Sequence, residues 1–255
     1  MSLISRRAAV LGLGVGVGTS SLLLAGCDKI VQSPTVRRTI GLGEKATMTT
    51  QRLIADRNAL APEFAASERS PVFRTNGNVM PTSAEYQALM TGQFSDWKLK
   101  VDGMVANPMT LSLAQMRTAP QRRQTTRHDC VEGWSAIGEW TGVPLGLLLK
   151  TAQLSSNARY VVFHCADTTD GEAYYESIDL VDAFHPQTIL AHTLNGEPLS
   201  VGHGAPLRLR VERQLGYKQA KYVMRVEAVA NLDGIYGGKG GYWEDGAGYQ
   251  WYAGI

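Results

Sequence analysis

Short runs of the chain alternate apolar and polar residues or are rich in β-branched residues, which is typical of half-buried strands. Strands are predicted for the runs Trp97–Val101, Met104–Val105, Arg122–Cys130, Arg159–Cys165, Thr188–Leu194, Leu207–Val211 and Tyr222–Val229. Between the first two, Asp102-Gly103 favours the tight turn of a hairpin, and Asn195-Gly196 favours a second tight turn.

Helical signals are fewer than strand signals. Three helices are predicted. The first begins within Pro81–Glu85, the second runs from a cap at Ser112 to about Thr118, and the third spans the Leu-rich segment Pro144–Gln153. From Gly234 the chain is rich in glycine and aromatic residues, which fits either an ordered lid packed by Trp243 and Trp251 or a frayed tail. With no repeat of fixed period, the pattern predicts a mixed α+β domain in which strands dominate.

The first 26 residues have the pattern of an export signal. Ser5-Arg6-Arg7 leads into a short apolar stretch that ends in Leu24-Ala25-Gly26-Cys27, which resembles a twin-arginine signal closed by a lipoprotein cleavage box. A core helix is the alternative, but each of the five glycines from Gly12 to Gly26 would cost roughly 1 kcal/mol relative to alanine. We therefore predict export to the periplasm, with a lipid on Cys27 as the anchor in the inner membrane.

These signals divide the chain into an export signal (1–26), a polar tether and surface arm (27–70) and one folded domain (71–255). Loss of the signal removes Arg6 and Arg7, so 25 basic residues become 23 against 23 acidic ones. A net charge near zero excludes the basic footprint of a nucleic-acid-binding protein. The remaining 229 residues are enough for one large domain with its own core.

Two cysteines remain besides Cys27. Cys130 and Cys165 are too few for a disulfide framework, and a single bridge, a structural role in the core and metal ligation all stay open. Arg127 and His128 stand just before Cys130. Neighbouring cations lower the pKa of a thiol, so this setting favours the thiolate, the form that attacks electrophiles or binds metals.

The run Cys-Val-Glu-Gly-Trp-Ser at 130–135, followed by Gly142-Val143-Pro144-Leu145, resembles the molybdenum-ligating segment of the sulfite oxidase superfamily. It is most similar to the periplasmic members related to the methionine sulfoxide reductase catalytic subunit. The likeness continues in order from about Asn76 to Leu232, through the runs at 157–163, 185–191, 195–199, 203–209 and 215–222. The resemblance implies a sulfite-oxidase-type molybdopterin-binding fold with Cys130 as the thiolate ligand to the metal.

The resemblance also implies the cofactor, Mo-molybdopterin, whose two-electron oxygen-atom chemistry the protein would orient and control. The residues implied to hold it are Asn76, Cys165, His203, Arg208 and the run Gln219-Ala220-Lys221. Arg208, Lys221 and the backbone N–H groups of Gln219-Ala220 suit its phosphate, although a solvated strand face is the alternative for the two cations. Arg127, or else Arg74, would attract the substrate.

Two positions depart from the methionine sulfoxide reductase pattern. His203 replaces an asparagine, as in sulfite oxidases and plant nitrate reductases, and Cys165 replaces a threonine that contacts the cofactor. Cys165 therefore has two interpretations, because it could line the site or fill the core as a small apolar residue. His128, His164 and His192 lack the spacing of a zinc site.

Because a haem attachment motif is also absent, we expect electrons to pass through a separate redox partner, such as a cytochrome or a membrane haem protein. The prediction is an exported, monomeric, molybdenum-dependent oxidoreductase that acts on a small sulfur-containing substrate, by sulfite oxidation or sulfoxide reduction. Two alternatives remain: a cofactor-free binding lipoprotein on the same fold, and a thiol redox protein that uses Cys130 and Cys165. The sequence leaves the direction of electron flow open.

Overall fold

The computed structural model describes residues 33–255, so the predicted export signal and Cys27 lie outside the described residues. The α-helices of this range are α1 (Pro34–Ile54), α2 (Ala84–Thr91), α3 (Leu113–Thr118), α4 (Leu145–Thr151), α5 (Leu180–Ala183) and α6 (Tyr242–Gly246). The strands are β1 (Lys98–Gly103), β2 (Met109–Ser112), β3 (Arg122–Cys130), β4 (Trp134–Pro144), β5 (Tyr160–Thr169), β6 (Glu172–Asp179), β7 (Ile189–Leu194), β8 (Glu197–Pro198), β9 (Arg208–Arg210) and β10 (Val223–Val229). Among these helices, none combines the length and the hydropathy that crossing a membrane requires.

The described chain divides into two compact units, with the boundary between Ile54 and Ala55. The first unit contains α1. The sequence analysis predicted a tether in this part of the chain and no helix. The helix carries Gly41, Gly43 and several threonines, residue types with weak helix propensity, so its composition does not predict a helix.

Residues 55–70, which the sequence prediction assigned to the tether, belong to the second unit. The Phe64 N–H donates to the Thr125 carbonyl at 2.9 Å, and the Ser70 N–H donates to the Ile137 carbonyl at 2.9 Å. The Thr125 carbonyl belongs to β3, an edge strand whose unpaired backbone groups need such partners, and the Ile137 carbonyl belongs to β4. The folded domain therefore begins earlier than predicted.

Two sheets build this domain. Sheet I has the order β2-β1-β10-β5-β6 and is antiparallel except for the β1–β10 pair, which is parallel. Sheet II has the order β3-β4-β7-β8, and β9 also pairs with β7. One core takes buried side chains from both sheets, among them Leu99, Val226 and Leu190. A second, smaller cluster surrounds Trp140.

The strand-dominated α+β fold predicted from the pattern is confirmed. The predicted helix caps are also present, because the hydroxyls of Ser83 and Ser112 each accept a hydrogen bond from the N–H three residues later. Asn195 and Gly196 both have positive φ and turn the chain between β7 and β8.

The hairpin predicted at Asp102-Gly103 is wrong. Strand β1 runs through both residues, and its antiparallel partner is β2 at Met109–Ser112. The Asp102 carboxylate accepts a hydrogen bond from Arg225 of β10 at 2.8 Å. Gly103 has a φ of 81°, and a Cβ there would collide with the backbone of Ala228. This glycine is required by the close approach of β10.

Four strands were not predicted: the short strands β2 and β8, and the longer strands β4 and β6. Strand β6 buries Glu176 and Ser177, and β4 contains Gly138, Gly142 and the buried Glu139. Polar and glycine residues at buried positions hide the alternation by which strands are recognised.

Candidate active site

A cavity of about 220 Å³ opens at the end of β3. It is lined by Asn76, Gly77, Asn78, Cys130, Val131, Glu132, Asp167, Thr169, Tyr174, Gly216, Tyr217, Gln219, Lys221, Trp243 and Tyr249. Four of the residues singled out from the sequence meet here: Asn76, Cys130, Gln219 and Lys221. These residues come from separate segments of the sequence, and the fold brings them together at one cavity.

Cys130 is the last residue of β3 and pairs with Trp134, the first residue of β4. Between them the chain turns, and the Gly133 N–H donates to the Cys130 carbonyl at 3.1 Å. Gly133 has a φ of 85°, a left-handed conformation that glycine adopts without steric cost. The turn holds the thiol at the edge of the cavity, where 8% of the residue is exposed.

The cationic surroundings predicted for Cys130 are not present. Burial raises the pKa of this thiol, and the nearby Glu132 carboxylate adds to the rise. His128 is fully buried, and burial with Arg210 beside it holds its pKa well below the usual value. A neutral imidazole cannot stabilise a thiolate, so a bound metal would have to do so.

Arg127 does not reach the cavity. Side chains alternate along a strand, so Arg127 points to the face opposite Cys130. It is exposed and forms an ion pair with Asp129 at 2.9 Å. Arg74 is also exposed and does not line the cavity. The substrate-attracting role proposed for either arginine is therefore not supported by the geometry.

Lys221 joins two loops at the cavity. Its ammonium donates to the carbonyls of Asn76 at 2.6 Å, Gly202 at 3.0 Å and Asn78. Burial lowers the pKa of Lys221 to about 7, and the nearby Arg208 also lowers it. Lys221 thus holds residues 76–78 close to Gly202. No carboxylate in the described part of the chain pairs with its ammonium.

Arg208 and His203 lie behind the cavity wall and do not line it. The Arg208 guanidinium donates to the His203 carbonyl at 3.1 Å and to the Gln219 carbonyl at 3.3 Å. It also lies 5.0 Å from the centre of the Trp140 ring. The His203 ring is fixed by the Ser200 hydroxyl at 2.7 Å and the Phe73 carbonyl at 2.9 Å.

Two further predicted contacts lie outside the cavity. Ala220 is 1% exposed and packs in the core. Cys165 is partly buried, packs against the same core and does not line the cavity, which favours its structural interpretation. Both cysteines are free, and burial raises the pKa of Cys165 as well. Raised pKa values argue against a thiol redox protein, because the thiolate is the reactive form.

The sequence analysis missed several lining residues. Tyr174, Tyr217, Trp243 and Tyr249 form one side of the cavity, here called the aromatic wall. The Tyr249 ring stacks on Trp243 with a centroid distance of 5.7 Å and meets Tyr217 edge-on at 5.0 Å. Trp243 and Tyr249 carried a sequence signal, because both lie in the glycine- and aromatic-rich stretch after Gly234 that suggested a lid.

Asp167 was also missed. Its carboxylate is 4% exposed and accepts a hydrogen bond from Asn78 at 3.2 Å through one oxygen. The other oxygen, Oδ1, has no hydrogen-bond partner. Burial raises the pKa of Asp167 to about 6.

This raised pKa predicts a pH-dependent stability of the cofactor-free protein. Between about pH 4 and pH 6 the unfolded chain releases the Asp167 proton while the folded chain retains it, so the free energy of unfolding falls as pH rises. A pKa shift from 3.8 to about 6 corresponds to about 3 kcal/mol. Asp167→Asn should remove this loss and be more stable than the wild type near pH 7 in urea unfolding.

Asp170→Asn is the matched control, because Asp170 is an exposed turn residue on the same hairpin. It should keep the wild-type pH profile. Equal stability of Asp167→Asn and wild type near pH 7 would show that Asp167 is not strained by burial.

The residues that line the cavity and those directly behind its wall fit a cofactor that carries both a phosphate and a hydrogen-bonding ring. Arg208 Nε and Gln219 Oε1 are buried without a hydrogen-bond partner, and neither Arg208 nor Lys221 is paired with a carboxylate in the described part of the chain. Buried donors, acceptors and charges need partners. An anionic, polar ligand beside residues 203–221 would supply them.

Comparison with known families agrees with this fit. Residues 87–234 match the family described as oxidoreductase molybdopterin binding domain. The aromatic residues Trp243 and Tyr249 lie beyond this matched range.

Among curated relatives, the chain is 35% identical over 250 residues to YedZ1 of Azospira oryzae, named as a protein-methionine-sulfoxide reductase subunit. That match covers 97% of this chain and 87% of the relative. It is 36% identical over 157 residues to the protein-methionine-sulfoxide reductase catalytic subunit MsrP of Xanthomonas campestris, covering 57% of this chain and 49% of that protein. The match thus spans about half the length of that catalytic subunit.

Among solved structures, the sulfane dehydrogenase SoxCD from Paracoccus pantotrophus superposes with a TM-score of 0.50 at 23% identity. The alignment covers 54% of this chain and 39% of that chain. This likeness concerns the fold alone, and it agrees with the sulfite-oxidase-type fold that the sequence resemblance implied.

Proposed function

Because the chain belongs to the molybdopterin-binding oxidoreductase family, it is an oxidoreductase whose cofactor is Mo-molybdopterin, and we propose that it reduces sulfoxides. The observation that carries this proposal is the composition of the cavity. A buried thiol faces an aromatic wall and two carboxylates, Glu132 and Asp167. The names of the relatives support the same substrate class.

When bound, the cofactor would supply two-electron oxygen-atom transfer. In this chain Cys130 would ligate the metal, while Asn76, Gln219 and Lys221 would hold the pterin from the cavity side. Arg208 would act from behind the wall, by fixing the backbone of His203 and Gln219 and by adding positive charge.

The overall conversion takes up two electrons and two protons and releases a sulfide and water. A separate redox protein would supply the electrons. Asp167 is suited to deliver a proton, because its Oδ1 is without a partner beside the cavity and its pKa is raised to about 6 by burial.

The charges around the cavity favour a neutral sulfoxide over anionic sulfite. Lys221 is the one lysine or arginine among the described lining residues, and its charge would be taken up by the cofactor phosphate. Glu132 and Asp167 would repel an anion. A sulfoxide brings a dipole and apolar groups, and sulfur makes favourable contacts with aromatic rings.

A substrate screen on molybdenum-loaded protein tests the proposal. Reduction of methyl phenyl sulfoxide with a reduced viologen dye is expected, with little sulfite oxidation in the reverse direction with an oxidised dye. Sulfite oxidation as the faster reaction would overturn it.

Glu132→Gln sharpens this screen because it removes one negative charge and keeps the side-chain shape. It should lower the KM for sulfite by up to about fivefold, the equivalent of about 1 kcal/mol for a charge pair near 4 Å in water. The KM for methyl phenyl sulfoxide should stay the same. Glu197→Gln, an exposed change on β8, serves as the control and should alter neither value.

We further propose that the protein acts in the periplasm after twin-arginine export and that a lipid on Cys27 anchors it to the inner membrane. Arg6, Arg7 and Cys27 are the observations behind this proposal. Replacing both arginines by lysine should leave the precursor inside the cell, and normal export of that variant would contradict it.

A further inference from the structure

A buried charge cluster lies directly behind the aromatic wall. The Lys218 ammonium forms ion pairs with Glu176 at 2.6 Å and with Glu244 at 2.5 Å. The side chains of all three are at most 1% exposed. We call these residues the triad. Burial at this level is exceptional for charged residues and needs complete pairing.

The triad places two carboxyl groups against a single ammonium. Burial, with the Glu244 carboxylate beside it, raises the pKa of Glu176 well above its usual range. Burial alone would lower the pKa of Lys218, but the two carboxyl groups raise it. The protonated forms of both Lys218 and Glu176 are therefore favoured.

Each member of the triad stands next to a residue of the aromatic wall. Tyr217 precedes Lys218, and Trp243 precedes Glu244 in α6. Tyr174 lies two positions before Glu176 on β6, which places both side chains on the same face of the strand. The triad thus links three separate segments at the points where each one contributes an aromatic ring.

The triad also holds the C-terminal segment, defined here as residues 235–255. Glu176 forms a β-bridge with Gly241, three residues before Glu244. A Cβ on Gly241 would collide with the carboxyl groups of both glutamates. The segment is packed closely against β6 at this point, and its Trp243 and Tyr249 complete the cavity.

We propose that Lys218, Glu176 and Glu244 are positioning residues that fix Trp243 in the cavity, so that the C-terminal segment serves as the recognition element for the organic group of the substrate. This inference rests on the proposed sulfoxide reduction. The triad touches neither substrate nor reacting atoms, and it acts through the ring of Trp243.

A double-mutant cycle of Glu244→Ala and Trp243→Ala tests this arrangement. Each single variant of the loaded enzyme should raise the KM for methyl phenyl sulfoxide by up to about tenfold, the range of one aromatic contact, and leave kcat unchanged. The double variant should be no worse than either single one, because Glu244 acts through Trp243. Multiplying effects would overturn the proposal.

Conservative variants separate positioning from general stability. Glu244→Gln keeps the length of the side chain, and Glu176 can then supply the negative charge that Lys218 needs. The KM of this variant should therefore equal that of the wild type. Glu244→Asp keeps the charge but shortens the side chain, and an intermediate KM is expected even if Glu244→Ala fails to fold. A wild-type KM in Glu244→Asp, or a lowered kcat with unchanged KM, would count against the triad.

A second readout needs neither cofactor nor activity. Lys239 is an exposed trypsin site in the C-terminal segment, and cleavage there reports local opening. In cofactor-free protein, Glu244→Ala should be cut about tenfold faster than the wild type, whereas the control Glu197→Ala should not. Equal cleavage rates would refute the positioning role.

The two proposals fail in different ways. If the wild-type enzyme reduces no sulfoxide, the proposed function is wrong. Faster cleavage at Lys239 in Glu244→Ala would then still show that Glu244 holds the C-terminal segment. Sulfoxide reduction with independent effects of Trp243 and Glu244 removes the triad proposal alone.

Discussion

Replacement of Cys130 by serine is expected to abolish oxygen-atom transfer and to leave the fold intact. A hydroxyl is a far poorer ligand for a soft metal than a thiolate, yet it has nearly the same size. Cys130 is 8% exposed at the end of a hairpin, so the free energy of unfolding should change by no more than about 1 kcal/mol. Turnover and a thermal midpoint measured on the same preparation check both parts.

Cys165→Ser is the matched control for this prediction. Cys165 packs against the core shared by the two sheets and does not line the cavity, so its variant should keep its activity. Loss of activity in both variants would instead point to a dithiol reaction between the two cysteines, and full activity of Cys130→Ser would remove Cys130 from the metal.

Replacement of Arg208 by methionine is expected to weaken cofactor retention by about one to two orders of magnitude, because a charge-assisted interaction is worth roughly 1.5–3 kcal/mol. The cofactor-free protein should lose little stability. Burial, with Arg210 nearby, lowers the pKa of Arg208 to about 9, so its charged form is disfavoured in the cofactor-free protein. The variant leaves the carbonyls of His203 and Gln219 without a donor, which costs stability. Removal of the buried charge contributes stability and offsets that cost.

Arg210→Met provides the contrast. Arg210 lies 4.3 Å from the centre of the same Trp140 ring, but it is paired with the buried Glu212 at 2.5 Å. Its loss leaves that carboxylate unpaired and should cost about 3–5 kcal/mol of stability. Molybdenum and pterin per chain after dialysis, measured beside urea unfolding of cofactor-free protein, distinguish the two variants. Wild-type occupancy in Arg208→Met would show that Arg208 has no part in holding the cofactor.

Local signals predicted some of the local structure of this chain. The Ser112 cap acts within one helical turn, and the strand that ends at Cys130 is continuous in sequence. The place of Arg127 was predicted wrongly because closeness in sequence was taken for closeness in space. The alternation of side chains along a strand already assigns Arg127 and Cys130 to opposite faces.

Other parts of the site depend on contacts that no local pattern contains. The parallel pairing of β1 with β10 joins residues such as Lys100 and Arg225, and nothing in either run specifies the other. Asp167 and Glu176 resemble ordinary polar strand residues until the fold buries them. The resemblance to a known family supplied Asn76, Gln219 and Lys221, which lie in loops whose chemistry is not evident from spacing.

The parallel β1–β10 pair also bears on the order of events while the chain is being made. Strand β1 leaves the ribosome more than a hundred residues before its neighbour β10, so sheet I has an open gap through most of translation. The lining residues between 216 and 221, and the rings of Trp243 and Tyr249, are synthesised later still or at about the same time as β10. Synthesis runs from the N-terminus at roughly 5–20 residues per second, and the cofactor must therefore be inserted into a nearly finished polypeptide.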